Sequence, residues 1–156
     1  MKTTNIISML AVLLVVSCTS TKIATETELQ NLAKVDNKDF SIQVNYANPL
    51  RMQQIALTSE YDLKIKNDSA FAFLPFYGVA HTAPLNPMEG GIKFSEPVKD
   101  YKSSPTRKND GRQISFKVNT NEYHYQINMT VFQNGTASIS INSTERDPII
   151  FYGEMK

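Results

Sequence analysis

A mainly β domain is the fold class this sequence predicts: a single antiparallel, strongly curved sheet, a partial barrel or sandwich of about eight strands, with one short N-terminal helix. Three observations predict it. Apolar and polar residues alternate with period two along most of the chain, which belongs to antiparallel strands with one face packed and one wet. Turn residues such as Gly90-Gly91 and Asn134-Gly135 punctuate the alternating runs. Helical spacing occurs in one place.

That place is the start of the domain. Thr25-x-x-Glu28 has the form of a capping box, and Leu29, Leu32 and Ala33 follow at helical spacing. A helix of about ten residues is too short to hold by itself and depends on docking. Strands come next. Ile42, Val44 and Tyr46 alternate with polar neighbours, then Tyr61, Leu63 and Ile65, and Phe71 and Phe73 continue an alternating strand. Ile92 to Phe94 follows the Gly90-Gly91 turn. Further on come Ile114, Phe116 and Val118, the long series from Tyr123 to Val131, Ala137 to Ile141, and Ile149 to Tyr152.

Loop length follows from the hydrophobic register, because a slip of one residue turns every side chain to the other face. A two-residue loop at Asn134-Gly135 sets Met129 opposite Ser140. A three-residue loop, Gln133-Asn134-Gly135, pairs Val131 with Ala137, Met129 with Ile139 and Ile127 with Ile141. The longer loop is therefore expected, with Gly135 left-handed in a bulge. By the same matching, the turn from Asn119 to Glu122 sets Val118 opposite Tyr123 and Phe116 opposite Tyr125.

The N-terminus carries a different signal. Lys2 precedes an apolar run from Ile6 to Val16, too short to cross a hydrocarbon core about 30 Å thick and suited to a secretory signal. Val15-Val16-Ser17-Cys18 resembles the lipobox of bacterial lipoproteins, cut just before the cysteine. Cys18 is the single cysteine of the chain, so no disulfide can form within it, and lipidation accounts for the thiol. Three acyl chains make such an anchor effectively permanent. The expected organisation is a signal peptide over 1–17, a lipid anchor and tether over 18–25, and one β-rich domain over 26–156. Thr19 rather than aspartate follows the cysteine, and no acidic run comes after it. By resemblance to Gram-negative lipoproteins, this points to the outer membrane, facing the periplasm.

Without the signal, basic and acidic residues balance at 15 each, so no global field favours nucleic acid. Lys99, Lys102, Arg107, Lys108, Arg112 and Lys117 form a local basic run, read as a solvated hairpin flank around Asp110-Gly111. Metal and redox templates fail: no Cys-x-x-Cys or His-Glu-x-x-His occurs, and His81 and His124 lie 43 positions apart. No nucleophile elbow or phosphate-cradling loop is present, and no cofactor or metal is expected. Asp68-Ser69-Ala70 has the form of a short periplasmic O-glycosylation signal, a match that also arises by chance.

Four segments stand in a set order: LPFYGVAHTAP (Leu74 to Pro84), Gly90-Gly91-Ile92-Lys93-Phe94, Asn134-Gly135-x-Ala137 and ERDPIIFYG (Glu145 to Gly153). Together they resemble the lipid-anchored bacterial proteins grouped as domain of unknown function 4251, over roughly Phe40 to Gly153. The resemblance implies a secreted, mostly β domain and supplies no activity or catalytic residues. The family's two aromatics after Leu-Pro are matched by Phe76 and Tyr77. Val79 stands where the family tends to carry a basic residue, and His81 where it tends to carry an aromatic one. Arg146 matches the arginine of the terminal motif, either to orient a ligand or to hold the turn before the last strand. Phe76, Tyr77, His81 and Arg146 are the candidate binding residues, and Pro75, Pro84 and Pro87 limit the strand that leads to them.

The expected function is a non-enzymatic binding or assembly module, anchored to the membrane by lipid and engaging an envelope protein, glycan or small ligand. A carrier of an apolar ligand or lipid inside the curved sheet is the alternative. An envelope hydrolase using His81 is the third.

Overall fold

The computed structural model describes residues 25–83 and 90–156. The signal peptide, Cys18, the tether before residue 25, and Pro84 and Pro87 lie outside the described residues. Helix α1 spans Glu26–Asp36, and nine strands follow. They are β1 (Asp39–Pro49), β2 (Ile55–Lys66), β3 (Ser69–Leu74), β4 (Ile92–Pro97), β5 (Lys99–Pro105), β6 (Gly111–Asn119), β7 (His124–Phe132), β8 (Thr136–Ser143) and β9 (Ile149–Met155). All pair in one antiparallel, nearly closed barrel-like sheet in the order β4-β3-β2-β1-β9-β8-β7-β6-β5.

The capping box forms as the sequence predicts: Glu28 N donates to Thr25 Oγ1 at 3.4 Å, and Thr25 N donates to Glu28 Oε2 at 2.7 Å. The docking face differs from the expected one. Leu29 is 58% exposed, Ala33 is exposed and Leu32 is half-buried, while Val35 is fully buried. Polar contacts seat the helix instead. Arg112 grips both carboxylate oxygens of Asp36 at 2.8 Å, and Asn31 Nδ2 donates to Gln133 O at 3.0 Å. Such a bidentate pair fixes orientation as well as distance.

Alternation places the core. Ile42, Leu63, Ile65, Ile114, Phe116, Ile127, Ile139, Ile141, Ile149 and Phe151 are almost wholly buried and fill the barrel interior. The β7–β8 register is the predicted one, Val131 with Ala137, Met129 with Ile139 and Ile127 with Ile141. Gly135 has φ +90°, as the three-residue loop requires.

Three expectations are corrected. The β6–β7 register is slid by two residues, pairing Val118 with Tyr125 and Phe116 with Ile127. A slide of two keeps every side chain on its face, so alternation cannot detect it. What lengthens the loop is Thr120, whose Oγ1 accepts from the backbone N–H of Tyr123 at 2.9 Å and of Glu122 at 3.3 Å. Second, Tyr46 faces outward, 47% exposed, and Ala47 is buried in its place. The β1 register shifts between Val44 and Tyr46, and the extra residue, Asn45, reverses the faces beyond it. Third, Phe71 and Phe73 point outward, with Ala70, Ala72 and Leu74 facing the core.

Nine strands stand where about eight are expected. Strand β5 lies in the basic run and forms one flank of the hairpin expected around Asp110-Gly111. It is exposed along nearly its whole length, with a register shift between Lys99 and Lys102, so no alternation marks it. Tyr101, half-buried, stacks on Phe116 with centroids 6.1 Å apart and holds the strand to the barrel. Lys117 pairs with Asp100 at 2.7 Å.

Candidate functional site

Two segments quoted above meet at one end of the barrel. Beyond β3 the chain turns at Pro75 and runs antiparallel to the segment before β9, with Ala80 and Arg146 as a bridge pair. Asp147 N donates to Val79 O at 2.9 Å, and His81 N donates to Glu145 O at 2.7 Å. This short ladder brings His81 and Phe76 beside the Glu145-Arg146-Asp147 triplet.

Arg146 is 6% exposed, and its guanidinium is held on three sides. Its carbon Cζ lies 3.7 Å from the centroid of the Tyr123 ring and 5.1 Å from that of Phe76. Nη1 donates to Gly91 O at 2.6 Å, which ties the turn before β9 to the start of β4. Stacking on aromatic faces is favourable for a guanidinium and strengthens with desolvation. The aromatic series continues from Tyr123 to Tyr125, centroids 5.7 Å apart, and on to Phe94 at 5.6 Å. Burial pushes the Tyr125 phenol up to about 12, so it stays a neutral donor.

Asp147 faces the other way, its side chain 3% exposed. Val79 N donates to Oδ2 at 3.1 Å, His81 Nε2 lies 3.0 Å from Oδ1, and Arg51 Nε lies 3.2 Å from Oδ2. The Val79 amide, followed by His81 and Arg51, holds this carboxyl below the usual range in spite of its burial. Among the described residues, Asp147 is the hydrogen-bond partner of the His81 ring.

Glu145 accepts from the Ser143 hydroxyl, and His124 Nδ1 lies 3.1 Å from its Oε1. Those bonds, Ser143 first, lower its pKa to about 2 from an ordinary 4.5. A carboxylate with a folded pKa below its unfolded one contributes stability in full above the unfolded value and loses it as pH falls toward the folded one. The contribution of Glu145 should therefore fade between about pH 4.5 and about pH 2. Urea midpoints taken down this range check it: the wild type should fall more steeply than Glu145→Gln, and parallel curves refute the assignment.

Two clefts open here, one lined by Arg146 and the other by its stacking partner Phe76. One, of about 290 Å³, is lined by Phe94, Tyr123, Tyr125 and Arg146 together with Thr120, Asn121, Glu96 and Glu122. The other, of about 280 Å³, is lined by Tyr61, Phe73, Pro75 and Phe76. Both share Gly90, Gly91 and Lys93.

The structure thus brings Phe76 and Arg146 together, while the His81 ring lies against Asp147 on the other side of the triplet. Tyr77 packs half-buried against the core. Sequence reasoning missed Tyr123, Asp147, Gly91 and Arg51. Asp147 stands next to Arg146 in the ERDP segment, which was a usable signal. Tyr123 carries only the signal of a strand residue, and nothing local marks Arg51.

The family model described as domain of unknown function DUF4251 matches residues 23–155. A crystal structure of a DUF4251 family protein from Bacteroides eggerthii DSM 20697 has a similar fold, with a TM-score of 0.65 and 18% identity over 83% of this chain and 86% of that one. No curated protein matches the chain. With the family model spanning all but the first residues and the last, this chain belongs to the DUF4251 family.

Proposed function

We propose that this protein is a lipid-anchored module of the cell envelope that binds a partner protein, glycan or small ligand at the barrel mouth, and is not an enzyme. The observation that carries the reading is the contrast between the filled interior and the clefts at the mouth. Side chains such as Phe116, Ile127 and Phe151, fully buried, fill the interior, whereas clefts flanked by aromatic and charged groups open beside Arg146 and its stacking partner Phe76. Recognition sites combine apolar walls with a few placed polar groups in this way. A filled interior weighs against an apolar cargo carried inside the sheet.

The anchor rests on the sequence at Cys18, with the outer membrane as its site and the periplasm as the compartment it faces. A Cys18→Ala variant should stay unprocessed or move to the soluble fraction, and mature-sized protein still in the membrane fraction would refute lipidation. Crosslinking in intact envelopes followed by pull-down should return one reproducible partner, lost when Phe76 and His81 are both replaced by alanine. Repeatedly empty pull-downs count against a protein partner.

One observation favours a second reading, an envelope hydrolase: the His81–Asp147 contact at 3.0 Å has the form of a base and its orienting carboxylate. Turnover of ester or amide substrates that disappears in His81→Ala would support it.

A further inference from the structure

We infer that the free edge of β4 is a strand-addition site, which takes an extended segment of a partner polypeptide into the cleft lined by Arg146. This rests on reading the barrel mouth as a binding surface and names the class of partner. The sheet has two outer strands, β4 and β5, joined by the single residue Val98. β4 pairs with β3 and β5 with β6, so no strand lies against the other edge of β4 among the described residues. The pairing of β5 with β6 covers Arg112 to Lys117 and stops there. Beyond it, Thr120 to Tyr123 face β4 across the cleft of about 290 Å³. Lys93 points out of the barrel and Phe94 into it, yet both line this cleft, which therefore runs along the edge of the strand. Phe94 and Tyr125, with ring centroids 5.6 Å apart, close its inner side.

The two outer strands are guarded unequally. β5 carries Lys99 and Lys102 around a register shift and ends in Pro105, which are devices that block pairing with another chain. β4 has only Lys93 and, at its far end, Pro97. Lys93 Nζ lies 5.2 Å from the centroid of the Phe73 ring, on the paired strand β3, so its charge is drawn off the free side.

Two side-chain groups mark what the cleft takes. Arg146 Nε and Tyr123 Oη are buried without a hydrogen-bond partner, on residues 6% and 7% exposed that line it. Leaving buried donors unpaired is costly. Charge is not what they lack, because Lys93 and Arg146 share the cleft with Glu96 and Glu122. Neutral acceptor oxygens meet the need. A polypeptide backbone supplies carbonyl oxygens to Arg146 and Tyr123 and, along the same strand, the alternating N–H and C=O groups that pair with β4. Added strands are held in this way, mostly by main-chain hydrogen bonds.

Backbone methylation gives the test its signature. The full chain in detergent is panned against a displayed library of unconstrained heptapeptides, and an enriched peptide is synthesised and titrated calorimetrically. N-methylation should weaken it about tenfold at every second residue and leave the residues between unaffected, because alternate amides face the pairing strand. The bound peptide should slow amide hydrogen exchange in β4 and not in β5. Gly90→Leu, whose added Cβ meets no heavy atom within 4 Å, and Asn121→Trp, exposed on the opposite wall, fill the cleft from its two sides. Each should abolish binding with the melting curve at the wild-type position. Tyr123→Phe should weaken binding and melt no lower than wild type, since the hydroxyl it removes has no partner in the fold. No enriched peptide, indifference to methylation, protection of β5 in place of β4, or full binding by folded Gly90→Leu and Asn121→Trp each overturns the assignment. A dimer that pairs β4 with its own copy does so too. An envelope partner crosslinked to a protein that takes up no peptide would refute strand addition alone and leave the binding module standing.

Discussion

Gly153→Ala should be among the most destabilising single-atom-group changes in the domain, lowering stability by about 3 kcal/mol or more, at or above the upper range of overpacking costs. A Cβ at this position would lie 2.0 Å from Gln43 O and 2.9 Å from Val44 Cα. Both are backbone atoms of β1, so no rotamer change relieves the clash. Gly153 pairs with Val44 immediately before the β1 register shift, where Asn45 is extra and the partner strands draw close. Separation of β1 from β9 is the remaining escape, and it exposes buried neighbours. Domains of this size have about 5–15 kcal/mol in total, and the loss corresponds to a melting temperature lower by about 10 °C. A melting temperature within a few degrees of wild type refutes the close approach.

Phe151→Ala should cost about 3–5 kcal/mol, the range for emptying a core aromatic. Its side chain is 0% exposed and stands between Ala47 on β1 and Ile139 on β8. Ala47 is small and cannot grow into the space, so the cavity collapses little. Its neighbour Tyr152, 38% exposed, serves as the control. Tyr152→Ala should move the denaturant midpoint by far less, and equal effects of the two would mean that the faces of β9 are misassigned.

Much of the fold was legible because one-sided burial leaves a period-two record in the residues. Ile127, Met129 and Val131 could be matched to their partners from polarity alone. The same record is silent where burial is not one-sided. Strand β5 shows no alternation because nearly all of it faces water. Period two turns Tyr46 inward, because an inserted residue breaks the period without leaving a compositional trace. For the site, Phe76, His81 and Arg146 were found through the family resemblance, not through periodicity. Their gathering depends on the Val79–Asp147 and His81–Glu145 hydrogen bonds, which join residues more than sixty positions apart in the chain. Arg51 reaches Asp147 from another loop, and no local pattern can announce such a partner.

The position of β9 has a consequence for how the protein is made. It lies between β1 and β8, so the final strand of the chain is the joint between the earliest strand and the rest of the sheet. Ile42 pairs with Met155, and Lys156 N donates to Ser41 O at 2.9 Å. Closing that pairing requires the two ends of the domain to find each other, a late and entropically costly event. A chain emerging N-terminus first therefore presents β1 with an unfilled side until β9 arrives. Truncation before Ile149 should leave two unsatisfied strands and a chain that aggregates, whereas a circular permutant opened at the Asn109 turn should fold faster than the natural order.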